Sequence, residues 1–526
     1  MKIIKKTGFF TILILFIFIF GCGVKKPDDI LFYALKADPT TLNPIISSEI
    51  PSQIVNSTIF NSLLRYDEKM NIVTDLAESF NVEEDGKKWI FNLKKNVKWH
   101  DGVEFTSDDV IFTFEKLYDP NTNTFNRGLF TIGGKQLKVK ALDKYTVEII
   151  LPEKFSPFES NITSLGIVPK HILEGKDINR DGFNWSPIGT GPFKFKKWQS
   201  GEKIYVEKNE DYYAGSPKLK GIIFQIIPSS ESRRTSLITG YTDIGEITPE
   251  DLLALNKCDN LNIYSWNQFM YCYMGFDLTN PLFQDINLRK AINYATDKKS
   301  IISAVFKKNA VRALGPIPPA SPYYDDSLPE YNFDPQKSIE LLKKSGWKIN
   351  KKTKIFEKDG KKLSFEVMYP SSNVAFEKAA VFMQAQMKQA GIEMRLKSME
   401  FSALINSCYP SKFESLIFDW VENFDPDNYT VWHSSQCNDD GMNFMTYKNK
   451  EVDELIEKGR ITRDKKERIK IYSEIQKTIV NDSPYIFLWS PKGLVAVNKR
   501  IKGLSTPSPA GILVKCEKIY IKGEKL

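Results

Sequence analysis

The sequence predicts a mixed α/β protein of two or three domains, on three observations. At 526 residues the chain is longer than one ordinary domain. Several short segments alternate apolar and polar residues with the period of a half-buried strand. Interspersed with these are amphipathic stretches carrying helix start and stop signals. Hydrophobic residues make up 42% of the chain and aromatic residues 13%, ample for real cores. The net charge of +8 comes from 73 basic and 65 acidic side chains. The lysines are dispersed among acidic neighbours, and no basic block with interleaved aromatics occurs, so nucleic acid is not an expected partner.

In chain order, residues 30–34 alternate as a strand, and Ile54, Val55, Thr58, Ile59 and Leu63 make a helical stripe over 54–64. Trp89, Phe91 and Leu93 lie on one side of a strand, with Asn92 and Lys94 on the other. A second short strand is expected over 96–99, then a turn at His100-Asp101-Gly102. Thr106 with Asp109 has the spacing of a capping box, followed by the apolar face Val110, Ile111, Phe114, Leu117 and Tyr118. Residues 146–150 read as a strand. Asp177 to Gly182 matches the first half of a calcium loop, but its twelfth position is Ile188 rather than a glutamate, so a polar loop is the reading. Asp285 begins a helix with Leu288, Ala291, Ile292 and Ala295 on one face. Asp334-Pro335 pairs an N-cap with an N1 proline, and Gly346 closes that helix. Residues 363–369 form a strand and 376–390 a helix ending at Gly391. A further helix over 465–480, with Ile469, Tyr472, Ile475 and Ile479 inward, is stopped by Pro484, and tail strands begin near Val495.

The N-terminus is a separate segment. Met1 to Lys6 is basic, Thr7 to Phe20 is almost wholly apolar, and the run is too short for a transmembrane helix of about 20 residues. Ile19-Phe20-Gly21-Cys22 resembles a bacterial lipobox. That implies diacylglycerol on Cys22, a signal peptide over 1–22 and a tether over 23–29; the alternative is an ordinary signal peptide with an incidental cysteine. Five more cysteines remain, an odd number with no CxxC. Cys258 with Cys272, or Cys408 with Cys437, are conceivable pairs; buried free thiols are the other reading.

The run Phe91-x-Leu93, Val97-x-Trp99-x-Asp101-Gly102, Phe105-Thr106 and Asp108-Asp109-Val110 resembles the signature of the extracellular solute-binding proteins of family 5, the oligopeptide- and dipeptide-binding proteins that feed ABC importers. Other stretches are similar too: Pro187-Ile188-Gly189-Thr190-Gly191-Pro192-Phe193, Ile167-Val168-Pro169-Lys170-His171, and Leu288 to Asp297. Asp75-Leu76-Ala77-Glu78-Ser79-Phe80 follows a family segment with Asp75 standing where proline is usual. The resemblance implies a periplasmic-binding-protein-like type II fold, two lobes joined by crossover strands plus an inserted third subdomain. Its boundaries would be lobe I from 30–59, 187–278 and 490–526, the insert from 60–186, and lobe II from 279–489, with the first crossing near residues 271–281.

The chemically richest stretch is Asp419 to His433. In peptide-binding relatives the comparable segment reads W-x-x-D-Y-x-D-P, and its first aspartate takes the peptide amine. Here Trp420 to Pro426 is one residue shorter. Aligned from the proline, Glu422 takes that place; aligned from the tryptophan, Asn423 does. The resemblance thus implies ligand contacts from Trp420 as a stacking wall, Glu422 or Asn423, Asp425, and Glu49 from the first lobe. Asp425 and Asp427 have turn formation as their other reading, Trp432 reads as core, and a lone His433 offers no metal site. No GxSxG, HExxH or Cys/His nucleophile arrangement is present, so no catalytic residue, cofactor or metal is expected. The implied function is a monomeric, lipid-anchored binding protein that captures short peptides between its lobes and delivers them to an ABC permease. The alternatives are the same fold holding a nickel chelate, haem, an oligosaccharide or a signalling peptide, and, more remotely, a surface hydrolase.

Overall fold

The computed structural model describes residues 26–409, 412–438 and 441–522; Cys22 and the leader lie outside them. From Lys26 onward the expected tether is already docked. Lys26 Nζ pairs with Asp243 at 3.2 Å and Lys220 with Asp29 at 2.6 Å. Asp243 is fully buried and is also gripped by Arg500 at 2.8 and 2.9 Å.

One long strand, Tyr485–Asn498, organises the molecule. Its last residues belong to the sheet of lobe I. There they pair with Ile244–Glu246 and Leu261–Asn267, and the sheet continues through Ile30–Leu35, Gly221–Ile226, Lys203–Lys208 and Phe193–Gln199. Its first residues belong to lobe II, where they pair with Met270–Phe276 and Ala310–Arg312. Met270–Phe276 in turn pairs with Ser415–Val421, and Ser364–Pro370 and Glu393–Met399 complete that sheet. The handover occurs between Pro491, opposite Ala310, and Lys492, opposite Asn267.

The second passage lies at Gln268-Phe269, between the strands Leu261–Asn267 and Met270–Phe276. That is earlier than the 271–281 expected from sequence. The residues from Met270 alternate to fill the two faces of the lobe II sheet: Tyr271 and Tyr273 enter one core, Cys272, Met274 and Phe276 the other. A strand that serves both cores of a lobe belongs to it.

The insert is built on an antiparallel sheet of Ala77–Glu83, Lys88–Leu93, Thr146–Ile150 and Lys138–Asp143, covered by the helix Ser107–Tyr118. That helix has the capping box expected of Thr106 and Asp109. The expected strand over 96–99 is reduced to a single bridge between Lys98 and Glu104. Asp75 accepts hydrogen bonds from Tyr213 (2.7 Å) and Asn61 (3.0 Å), a role proline could not fill. The helix expected over 54–64 is displaced to Ile50–Ile59, because Pro51 supplies its first turn and Phe60 is already extended.

The loop 187–193 rivets the insert to lobe I. Gly189 donates to His100 Nδ1 (3.1 Å), His100 Nε2 donates to the Gly191 carbonyl (3.0 Å), and Gly191 donates to the Ile59 carbonyl (2.7 Å). Burial pushes the His100 pKa down to about 4, which keeps the ring neutral and able to accept from Gly189. Phe112 of the insert helix enters the same core as Leu31, Tyr33 and Ile59. Insert and lobe I are therefore one body.

Neither conceivable disulfide forms: all five described cysteines are free. Cys272 is spent on the lobe II core, and the Cys408 thiol turns to the Leu404 carbonyl at 3.5 Å. In the loop 177–182, the Asp177 carboxylate accepts from Asn179 N–H (3.0 Å) and the Asp181 carboxylate from Phe183 N–H (2.9 Å), the work of turn formation.

The rivet makes a sharp prediction. A Cβ on Gly189 would stand 1.9 Å from the Ile59 carbonyl oxygen, whereas one on Gly182 meets nothing within 4 Å. Gly189→Ala should therefore cost about 3 kcal/mol or more, and Gly182→Ala within about 0.5 kcal/mol, in urea unfolding.

Candidate functional site

The strand Ser415–Val421 runs out of the lobe II core toward the crossover. One edge is fully paired with Met270–Phe276. The other meets Ser364–Pro370 only at Ser415 and Leu416. From Ile417 to Val421 that edge has no strand partner among the described residues; Ile417 and Phe418 are buried, and the chain reaches the surface from Asp419 to Val421, where an added strand could pair.

Alternation then sorts the side chains. Phe418 and Trp420 face the aromatic core, and Asp419 faces Cys272 on the other side. Trp420 is half-buried. It lies parallel to Tyr273 (6.3 Å, 14°), which stacks on Tyr485 (3.9 Å, 6°), and its indole N–H donates to the Tyr485 hydroxyl at 3.4 Å. This is a rigid aromatic wall with few rotors to freeze. Burial pushes the Asp419 carboxyl up to about 6.

Glu422 follows the strand. Its N–H donates to the Phe269 carbonyl at 2.7 Å, turning the chain back against the crossover. The residue is half-buried, yet its Oε1 is covered and has no hydrogen-bond partner. Beside it stands the fully buried hydroxyl of Tyr271, itself close to the Trp432 indole N–H. None of the three makes a bond of good geometry, but Glu422, Tyr271 and Trp432 lie close enough for Tyr271 to interact with both of the others, so they form one polar cluster beneath the aromatic wall. Burial pushes the Glu422 carboxyl up to about 8.

The other expected contacts are placed differently. Asp425 is buried and chelated by Arg468, Oδ2 to Nη1 at 2.6 Å and Oδ1 to Nη2 at 2.7 Å, and it also accepts from Asp427 N–H at 3.1 Å. Those bonds engage both of its oxygens, so Asp425 holds the fold of this turn rather than facing a ligand. Asp427 likewise pairs with Arg460 Nε at 3.2 Å. Asn423 is exposed. Glu49, on lobe I, accepts through Oε1 from Thr40 N–H (2.8 Å) and the Ser52 hydroxyl, while its Oε2 is buried without a partner. Trp432 is core at 1% exposure, and His433 stacks on Tyr429 at 4.3 Å.

Sequence reasoning gave Tyr271 no role beyond its strand. Its period-two spacing to Tyr273 was the available signal, but only pairing with Trp420 across the sheet reveals it. A concavity of about 450 Å³ beside Glu231, Thr235 and Tyr241 on lobe I has no orphaned buried atom.

The sequence profile of the bacterial extracellular solute-binding proteins, family 5, matches residues 71–442. The chain is 33% identical to the oligopeptide-binding protein AppA of Bacillus subtilis, over 89% of this chain and 87% of that protein. The structure of that AppA with a nonapeptide superposes with a TM-score of 0.78, at 32% identity, covering 95% of this chain and all of the other. CtaP, an ABC transporter substrate-binding protein from Listeria monocytogenes, gives a TM-score of 0.85 at 29% identity, covering 95% and 100%. NikZ from Campylobacter jejuni, in complex with Ni(L-His), gives 0.79 at 30% identity, covering 94% and 100%.

Two predictions separate the two acids. The folded protein holds the Glu422 proton above the unfolded value of 4.5, so this group makes stability fall as pH rises from about 4.5 to about 8, and leaves it level beyond. Glu422→Gln lacks that fall, and its melting temperature should overtake wild type across this window, by the equivalent of roughly 2–4 kcal/mol once partial exposure is allowed for. Asp425→Ala strands a buried guanidinium and should cost about 3–5 kcal/mol in urea unfolding, while Asn423→Ala stays within about 0.5 kcal/mol.

Proposed function

The chain belongs to the bacterial extracellular solute-binding proteins of family 5, and on that premise we propose that it captures short peptides and delivers them to an ABC permease. The observation that carries this reading is the Glu422 carboxyl, held largely protonated beside the Tyr271 hydroxyl at the end of a strand whose outer edge has no strand partner beyond Leu416 among the described residues. An extended peptide brings two things, a free ammonium and unpaired backbone groups. The ammonium would satisfy Glu422 and be satisfied by it. The backbone would add to the edge at Asp419 to Val421. Trp420 would wall the first side chain, and the lobes would close over the guest. The AppA complex with a nonapeptide and the identity to oligopeptide-binding AppA support peptide as the solute class.

The role needs no chemistry at the guest, and we read the protein as a non-catalytic monomer. Family membership places it outside the cytoplasm. No helix among the described residues is long and apolar enough to cross a membrane. The basic n-region, apolar run and Gly21-Cys22 support a lipid anchor on Cys22.

Native mass spectrometry of freshly purified protein should show peptide masses, released unaltered. Calorimetry with tri-alanine should show binding that weakens about tenfold to hundredfold in Glu422→Gln, the worth of one charge-assisted bond, and an equal loss when the peptide is N-acetylated. Because the empty site holds its carboxyl mostly protonated at pH 7, capture of an ammonium should release a proton, and affinity should rise from pH 7 to pH 8. A co-purified metal chelate, haem or sugar with no peptide binding would refute the peptide reading.

A further inference from the structure

Lobe II is joined to the body made of lobe I and the insert by its two crossovers, and among the described residues it also touches that body at a patch around Phe424. At its centre the Phe424 ring stands edge-on to Tyr66, 4.4 Å away at 61°, and edge-on to Phe269, 4.9 Å away at 88°. Tyr66 ends the strand Leu64–Tyr66 of the insert, and its hydroxyl shares a 2.6 Å hydrogen bond with Ser160. Around the rings, Ser156 N–H donates to the Arg460 carbonyl at 2.7 Å, and its hydroxyl donates to the Thr462 carbonyl at 2.6 Å. The Arg460 guanidinium lies over Phe155 at 5.0 Å and that of Arg463 over Trp89 at 5.3 Å. The pairs Tyr66–Phe424, Ser156–Arg460, Ser156–Thr462, Phe155–Arg460 and Trp89–Arg463 join the insert to lobe II, Phe269–Phe424 joins lobe II to the crossover, and Tyr66–Ser160 braces the ring within the insert.

We propose that Phe424 is the latch of the clamp and the positioning residue for Glu422. The backbone changes sheets at Gln268-Phe269 and Pro491-Lys492, and a turn of lobe II about those two points works against the Phe424–Tyr66 contact, which joins the two bodies. The crossover residue Phe269 holds both ends of the coupling. Its carbonyl accepts from the Glu422 N–H, and its ring supports Phe424 two residues on. A guest that settles Glu422 therefore settles the turn that carries the latch, and opening the latch disturbs the anchor. The latch rests on closure over a solute and is indifferent to whether that solute is a peptide.

The test compares wild type with Phe424→Ala, Tyr66→Ala and the double variant, each checked for folding by its melting temperature. Small-angle scattering of the ligand-free proteins should show a larger radius of gyration in both single variants, with Phe424→Leu intermediate. Tri-alanine affinity should fall about tenfold in each single variant, near the worth of one aromatic pair plus its closure, and no further in the double. Scattering that superimposes on wild type in both single variants overturns the latch. So do affinity losses that simply add in the double variant, since independent sites add and a shared contact does not. Should wild type fail to bind tri-alanine, the co-purified masses decide the peptide reading, and the ligand-free scattering alone decides the latch.

Discussion

Everything in this molecule depends on a strand that changes partners along its length. Tyr485–Asn498 is bonded into lobe II at one end and lobe I at the other. A backbone in a sheet is held along its full length, so a single strand shared by two sheets leaves one compliant point, where the partner list changes. The second crossover, two residues between Leu261–Asn267 and Met270–Phe276, lies beside it: Asn267 faces Lys492 and Cys272 faces Trp489. Two such points side by side define an axis. Lobe II has one easy motion, and the residues beside the axis feel it first.

Glu422 and Asp425 show how the same residue class is put to opposite uses three positions apart. Asp425 is buried with its counter-ion, and its bidentate pairing repays desolvation only because the geometry is tight; it stiffens the turn. Glu422 is half-buried without one, and the protein absorbs the cost by keeping the group protonated near neutral pH. A carboxyl in that condition is a weak presence until a cation arrives, when it becomes a strong one. The paired acid three positions on holds the turn beside it in shape.

Motifs that fix a backbone path were legible in the sequence. The capping box at Thr106, the Asp334-Pro335 start and the loop 187–193 announce themselves because local chemistry dictates local geometry. The family resemblance, read from such motifs, reached the fold. The site was legible as a stretch but not as roles. Asp425 looked like a contact because its partner, Arg468, lies 43 residues on and no local rule joins them. Tyr271 was hidden for the same reason, its importance arising from a cross-sheet neighbour. The crossing at Gln268-Phe269 carries no glycine or proline to mark it; only the change of partners does.

The two interfaces of the insert contrast in kind, and the contrast fits their tasks. Toward lobe I the insert is interlocked through backbone groups packed so closely that no Cβ can enter, a contact with no graded way to loosen. Toward lobe II it offers an edge-on ring, two hydrogen bonds to carbonyls and two cation–π contacts, each worth on the order of 1 kcal/mol. A clamp must hold a guest and then surrender it. Its closed state must exceed the open one by a few kcal/mol at most, so that the guest, and later the permease, can tip the balance. A handful of separable contacts meets that requirement, and an interlocked joint of the Gly189 kind could not.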